Sequence, residues 1–123
     1  MKNILIIDNE EPHRIIFRTQ IEAWFPGRCR VFETDNSLNA LEIIGHNRID
    51  CIILDYMLNG ETGKQIVHQF KRDLPDCPPI IFVTCALTED LRRDVLALGA
   101  SECLLKSSLR PGTLANAVAG VVE

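Results

Sequence analysis

Apolar positions along this chain follow two patterns that take turns. Near-continuous apolar runs occur in "NILIID" (residues 3–8), "DCIILD" (50–55) and "PPIIFVT" (78–84). Their length and branched content predict strands covered on both faces. "CRVFET" (29–34) alternates apolar and polar residues, and "ECLLK" (102–106) is a shorter fifth run. Between these runs the apolar spacing lengthens to that of helices. "EEPHRIIFRTQIEAWF" (10–25) predicts a first helix with Ile15, Ile16, Thr19, Ala23 and Trp24 on one face, Pro12 in its first turn and "FPGR" as its stop. "DNSLNALEIIGHN" (35–47) predicts a second, capped by Asp35, Asn36 or Ser37. "ETGKQIVHQFKRD" (61–73) predicts a third with Ile66, Val67 and Phe70 inward. The fourth, "EDLRRDVLALG", starts after Thr88 as cap and stops at Gly99, and the last runs from about Pro111.

Five strands alternating with five helices predict an α/β domain with a doubly wound parallel sheet, because right-handed crossovers place helices on both faces. Ligands of such sheets bind outside the carboxyl ends of the strands. No internal repeat or linker interrupts the alternation, so residues 1–123 are expected to form one domain.

Composition narrows the function classes. With 123 residues, 46% hydrophobic and 24% charged, the chain is long enough to bury a core without metals or disulfide staples. A net charge of -4 argues against nucleic acid as a direct partner. No apolar stretch reaches the roughly 20 residues that span a bilayer, and acids follow the first apolar run where a signal peptide would stay apolar. A cytoplasmic location without membrane association is expected. Cys29, Cys51, Cys77, Cys85 and Cys103 contain no CxxC pair and are odd in number, which disfavours a disulfide framework or a cysteine zinc site.

The predicted strand ends carry chemistry. Strand one ends in Asp8, strand three in Asp55, strand four in Thr84 and strand five in Lys106. Alone, each has a bland reading: a turn acid, a strand-end threonine, a solvated amine. Together on one rim they form a set. Asp8 and Asp55 offer hard oxygen ligands of the kind Mg²⁺ accepts. Asp55 can act as a carboxylate nucleophile towards a phosphoryl group, while Lys106 and Thr84 can meet the phosphoryl oxygens.

These residues resemble the receiver domains of two-component response regulators, the CheY-like family. "ILIIDNEE" is similar to the family's acidic first loop, "IILDYMLNGETG" to its phosphorylated-aspartate strand and loop, "IIFVTC" to its threonine strand and "GASECLLKS" to its lysine strand. The resemblance implies a flavodoxin-like sheet of order 2-1-3-4-5. It implies that Asp55 accepts a phosphoryl group from a histidine kinase or phosphotransfer protein, with Mg²⁺ held by Asp8, Asp55 and the backbone carbonyl of Met57. Thr84 and Lys106 would contact the phosphoryl oxygens. The fourth helix, fifth strand and fifth helix would then switch binding of a downstream protein or a fused output domain. Such a protein modifies only itself and is not an enzyme acting on an external substrate.

Departures from the family pattern set further expectations. Asn9 stands where a second acid is usual, so it offers only a weak amide oxygen to Mg²⁺. Ser107 replaces the usual proline, which predicts a trans bond after Lys106. Cys103 replaces a switching aromatic. In the loop after Asp55, Asn59 and Thr62 replace proline and aspartate, with Gly60 and Gly63 expected to supply the bends. Met57 and Ala86 lie where polar side chains often orient the hydrolytic water, which predicts slow loss of the phosphoryl group. These departures keep open a degenerate receiver acting as a phosphorylation-independent interaction module. A flavodoxin-like cofactor binder or small phosphatase lacks its phosphate loop in "IIDNEEPHR". His13, His46 and His68 are read as surface or packing residues, Glu10 as a helix-start acid, and Trp24 and Phe25 as core.

Overall fold

Strand pairing in this protein follows from burial on both faces of the sheet. In the computed structural model, which describes residues 1–58 and 60–122, five strands form one parallel sheet: β1 (Lys2–Ile7), β2 (Cys29–Thr34), β3 (Cys51–Asp55), β6 (Ile80–Thr84) and β7 (Glu102–Leu105). Their order is β2-β1-β3-β6-β7, which in terms of the five long strands is 2-1-3-4-5 as predicted. The remaining two, β4 (Met57–Leu58) and β5 (Glu61–Thr62), form a small antiparallel hairpin. The sequence reading assigned residues 61–62 to the third helix. Instead Thr62 caps α3 (Gly63–Asp73) through a reciprocal capping box with Gln65, so the helix starts two residues later than predicted.

Side-chain alternation divides the core in two. Leu5, Ile7, Ile52, Leu54, Ile80 and Phe82 face α2 (Ser37–His46), α3 and α4 (Glu89–Ala97), packing with Ala40, Ile66, Val67, Phe70 and Val95. Ile4, Ile6, Ile53, Ile81 and Val83 face α1 (Glu11–Trp24) and α5 (Pro111–Val122), packing with Phe17, Ile21, Leu114 and Val118. Both faces are therefore dry, and the apolar runs need no polar alternation. Asn36 and Thr88 cap α2 and α4 as expected, and Gly99 adopts φ +110 beyond α4.

The predicted inner face of α1 is corrected. Ile15, Ile16 and Trp24 are about half-exposed, while Phe17, Ile21 and Phe25 are buried. The stripe at spacing i, i+4, i+8 is the one that clusters with Leu114 and Val118 of α5. Trp24 is thus only partly packed, with its ring against Gly112 of α5.

Two loop expectations also change. Gly60 has φ +77 and supplies a bend, but Gly63 has no positive φ. It is small because a Cβ there would meet the Phe82 ring and the Asp55 carbonyl oxygen. Asn59 lies outside the described residues. Strand five ends at Leu105, so Lys106 opens a 3₁₀ helix, Lys106–Ser108, and no cis peptide bond occurs among the described residues. Among those residues, no helix is long and apolar enough to cross a membrane.

Candidate functional site

Parallel register lines up the carboxyl ends. Ile7 pairs with Leu54, Asp55 with Val83 and Thr84 with Leu105, so Asp8, Asp55, Thr84 and Lys106 emerge along one edge. The apolar residues preceding each of them anchor the strands in the dry interior. Asp8, Asp55 and Thr84 are nonetheless buried. Buried polar groups need partners, and the site supplies them.

Lys106 is the hub. Its ammonium lies 2.9 Å from Asp8 Oδ2 and 3.0 Å from Asp55 Oδ1, and its side chain is 9% exposed. Asp8 Oδ1 accepts from the Glu10 amide at 2.9 Å, and Asp55 Oδ1 accepts from the Tyr56 amide at 2.9 Å. The Asp8 carbonyl accepts from the Arg14 guanidinium at 2.6 Å, and Arg14 is held in turn by Glu33 at 3.1 Å. Thr84 Oγ1 accepts from the Ala86 amide at 3.2 Å, which fixes the turn after β6.

The electrostatics follow from this burial. Desolvation raises the Asp55 carboxyl above its ordinary 3.8, the Asp8 charge adds to the rise, and the Lys106 and Tyr56 hydrogen bonds oppose it. Desolvation works to lower Lys106, but its hydrogen bonds to Asp8 and Asp55 and their charges outweigh it, leaving the ammonium above 10.5. Lys106 is therefore cationic at neutral pH.

An open cleft of about 470 Å³ lies over Asp55, lined among others by Asn9, Glu10, Met57, Thr84, Ala86 and Lys106. Asp8, Asp55 and Lys106 are thus in direct contact, while Thr84 and Asn9 border the same cleft. Met57 is 56% exposed at its margin. Cys103, by contrast, is buried in the cluster under α4, and burial raises its thiol.

Two residues read differently from the sequence alone. His13 Nδ1 lies 2.8 Å from Lys106 Nζ and 2.9 Å from Glu10 Oε2, so His13 belongs to the site rather than to the bare surface. Glu10 lines the Asp55 cleft in addition to preceding α1. The signal for both was their position: they follow Asp8 by two and five residues, where the first turn of a helix folds back over the strand end.

The donor chemistry suits a hard divalent cation. Asp8 and Asp55 already hold one positive group, the Lys106 ammonium, between them. Asp8, Glu10 and His13 also offer ligand atoms within 4.8 Å of one another.

Comparison with known proteins agrees with this architecture. Residues 4–119 match the family model described as the response regulator receiver domain. The phosphate regulon transcriptional regulatory protein PhoB of Pseudomonas aeruginosa is 33% identical over 106 residues, covering 85% of this chain and 45% of PhoB. The cyclic di-GMP phosphodiesterase response regulator RpfG of Xanthomonas campestris pv. campestris is 32% identical over 114 residues, covering 91% of this chain and 29% of RpfG. The chain therefore spans less than half the length of either relative. The crystal structure of the signal receiver domain of a DNA binding response regulator protein (merR) from Colwellia psychrerythraea superimposes with a TM-score of 0.88 at 27% identity, covering 99% of this chain and 98% of that one. By the family model and the two relatives, with the fold in agreement, this chain belongs to the response regulator receiver domains of two-component signalling.

Proposed function

We propose that Asp55 is the phosphoacceptor of this receiver domain, taking a phosphoryl group from the phosphohistidine of a histidine kinase or phosphotransfer protein. The observation that carries this reading is the Lys106 ammonium, 3.0 Å from Asp55 Oδ1 and 2.9 Å from Asp8 Oδ2 at the carboxyl edge of the sheet. In the reaction an Asp55 oxygen attacks phosphorus and the bond to the donor breaks. The ammonium offsets charge on the phosphoryl oxygens, and the Thr84 hydroxyl, bordering the cleft, donates to one of them.

Asp8, Asp55 and the Met57 carbonyl would hold Mg²⁺, with the Asn9 amide oxygen a weak further donor. The ion supplies neutralisation of phosphoryl charge when bound. Replacement of the usual acid by Asn9 lowers the negative charge available to it. Phosphorylation then shifts the α4, β7 and α5 face, and with it the binding of a downstream protein or a fused output domain.

The test is intact mass after incubation with acetyl phosphate and Mg²⁺. One added phosphoryl group, lost in Asp55→Asn and under chelation, is the expected result. No adduct in the wild type would leave the phosphorylation-independent interaction module as the function.

A further inference from the structure

A lysine ammonium has three N–H donors, and Lys106 has three polar partners within reach. Nζ lies 2.9 Å from Asp8 Oδ2, 3.0 Å from Asp55 Oδ1 and 2.8 Å from His13 Nδ1. The first two acceptors are the groups that a divalent cation and a phosphoryl group would engage. His13 is the one partner of the three that neither event takes away. Ser107 follows Lys106 where a proline would fix the chain, and none of the 3₁₀ residues Lys106–Ser108 is buried. The side-chain contacts, more than the backbone, therefore set where the ammonium on its flexible stem sits.

We propose that His13 is a positioning residue for phosphoryl transfer. Its Nδ1 accepts a hydrogen bond from Lys106 and tethers the ammonium at the Asp55 cleft while the carboxylate partners are exchanged for cation and phosphoryl oxygen. This rests on the reading of Asp55 as phosphoacceptor.

The imidazole is itself held. Its ring centroid lies 6.4 Å from that of buried Phe17, one helical turn further along α1. Nδ1 also faces Glu10 Oε2 at 2.9 Å and Asp8 Oδ2 at 3.7 Å. A proton on Nδ1 would serve Glu10 but would point at an ammonium 2.8 Å away. A lone pair there suits the ammonium and leaves the proton on Nε2. A divalent cation bound by Asp8, Glu10 and His13 would be set directly against the Lys106 ammonium, so the distances favour the tether over a separate metal site.

The experiment compares wild type, His13→Ala and His13→Asn, whose side-chain oxygen lies near the position of Nδ1. In metal-free, unphosphorylated protein, the side-chain ammonium ¹H–¹⁵N resonance of Lys106, assigned with Lys106→Arg, is expected to be protected from exchange. Protection should be lost in His13→Ala and regained in His13→Asn, with thermal unfolding confirming that both variants fold. With acetyl phosphate and Mg²⁺, phosphorylation of His13→Ala should slow roughly tenfold, the size set by one hydrogen bond to a charged group. His13→Asn should recover most of the rate, and Mg²⁺ affinity should hold in both. An unmoved Lys106 resonance in a phosphorylatable protein overturns the tether alone. Loss of Mg²⁺ affinity without a Lys106 change overturns it in favour of a metal ligand. A wild type that takes no phosphoryl group overturns the Asp55 reading and the tether's role with it.

Discussion

Lys106 Nζ stands 3.0 Å from Asp55 Oδ1 although β6 lies between β3, which ends in Asp55, and β7, which Lys106 follows. The same ammonium reaches Asp8 at 2.9 Å, past β3 as well. Neighbouring strands are about 4.8 Å apart, so the lysine lies across the carboxyl edge of the sheet and ties β7 to β1. One cation thereby compensates two buried carboxylates.

Removing that cation should be severe. Lys106→Met leaves Asp8 and Asp55 buried and facing each other without a positive partner, and breaking a buried ion pair in this way costs about 3–5 kcal/mol. Urea unfolding without metal should show that loss at neutral pH. Adding Asp55→Asn to Lys106→Met should restore much of it, since only one acid then remains. A loss in Lys106→Met that the second substitution leaves unchanged would mean that packing of the lysine stem, not charge, is responsible.

The raised Asp55 carboxyl sets a pH dependence. Because desolvation and the neighbouring Asp8 charge hold its folded value above 3.8, the folded state keeps this proton to higher pH than the unfolded chain. The Asp55 contribution to stability is thus full below 3.8 and is lost as pH rises through the folded value. In metal-free protein, Asp55→Asn is expected to be more stable than wild type at neutral pH, with the difference shrinking towards acid. Unfolding curves across that range check it. A variant less stable than wild type at pH 7 would show that the Lys106 bond outweighs the cost of burying the charge.

Much of this site was legible because strand ends are legible. The apolar runs before Asp8, Asp55 and Thr84 fix which residues reach the rim, and parallel alternation fixes that the rims coincide. The inner face of α1 was not legible, since the helix carries two apolar stripes and only the placement of α5, far along the chain, decides that Phe17 and Ile21 are buried and Ile16 is not. His13 was hidden for a different reason. Its partner Lys106 is 93 residues away, and no local pattern records that contact. The hairpin of β4 and β5 was missed because two-residue strands carry no periodicity.

Gly63 tests how closely the α3 start packs beneath Asp55. Its amide donates to the Tyr56 carbonyl, and an added Cβ would meet the Phe82 ring and lie 2.8 Å from the Asp55 carbonyl oxygen. Gly63→Ala should destabilise by about 1–3 kcal/mol, as overpacking does, and should also slow phosphorylation by shifting Asp55. Gly45→Ala, in the last turn of α2 with open space around it, should be neutral or stabilising. Equal effects at the two positions would remove the packing explanation.

The cysteines should react in an order set by exposure. Cys85 is exposed and borders the Asp55 cleft, whereas Cys51 and Cys103 are buried. Burial pushes the Cys51 thiol up to about 12, so little thiolate is available. A disulfide-exchange reagent should label Cys85 first, and Cys51 and Cys103 only on unfolding. A bulky adduct on Cys85 should then hinder phosphorylation, and Cys85→Ala should be phosphorylated but escape that inhibition. Fast native labelling of Cys51 would show that β3 opens readily.

Loss of the phosphoryl group should be slow, because Met57 and Ala86 at the cleft cannot guide water. Met57 is 56% exposed at the margin but offers only a thioether, and Ala86 offers a methyl group. A hydrolytic water in line with the phosphorus must then find its own orientation. A side chain that can accept or donate a hydrogen bond at either position would hold that water for attack, and positioning of this kind typically raises rates well beyond tenfold when geometry is good. Met57→Gln and Ala86→Glu are therefore expected to shorten the phosphoprotein lifetime by roughly tenfold each. Their effect on the forward reaction with acetyl phosphate should be smaller, because that step needs no water. Decay of phosphorylated protein followed by intact mass after removing the donor gives the lifetimes directly. A wild-type lifetime no longer than that of the two variants would show that water is oriented by some other group at the cleft.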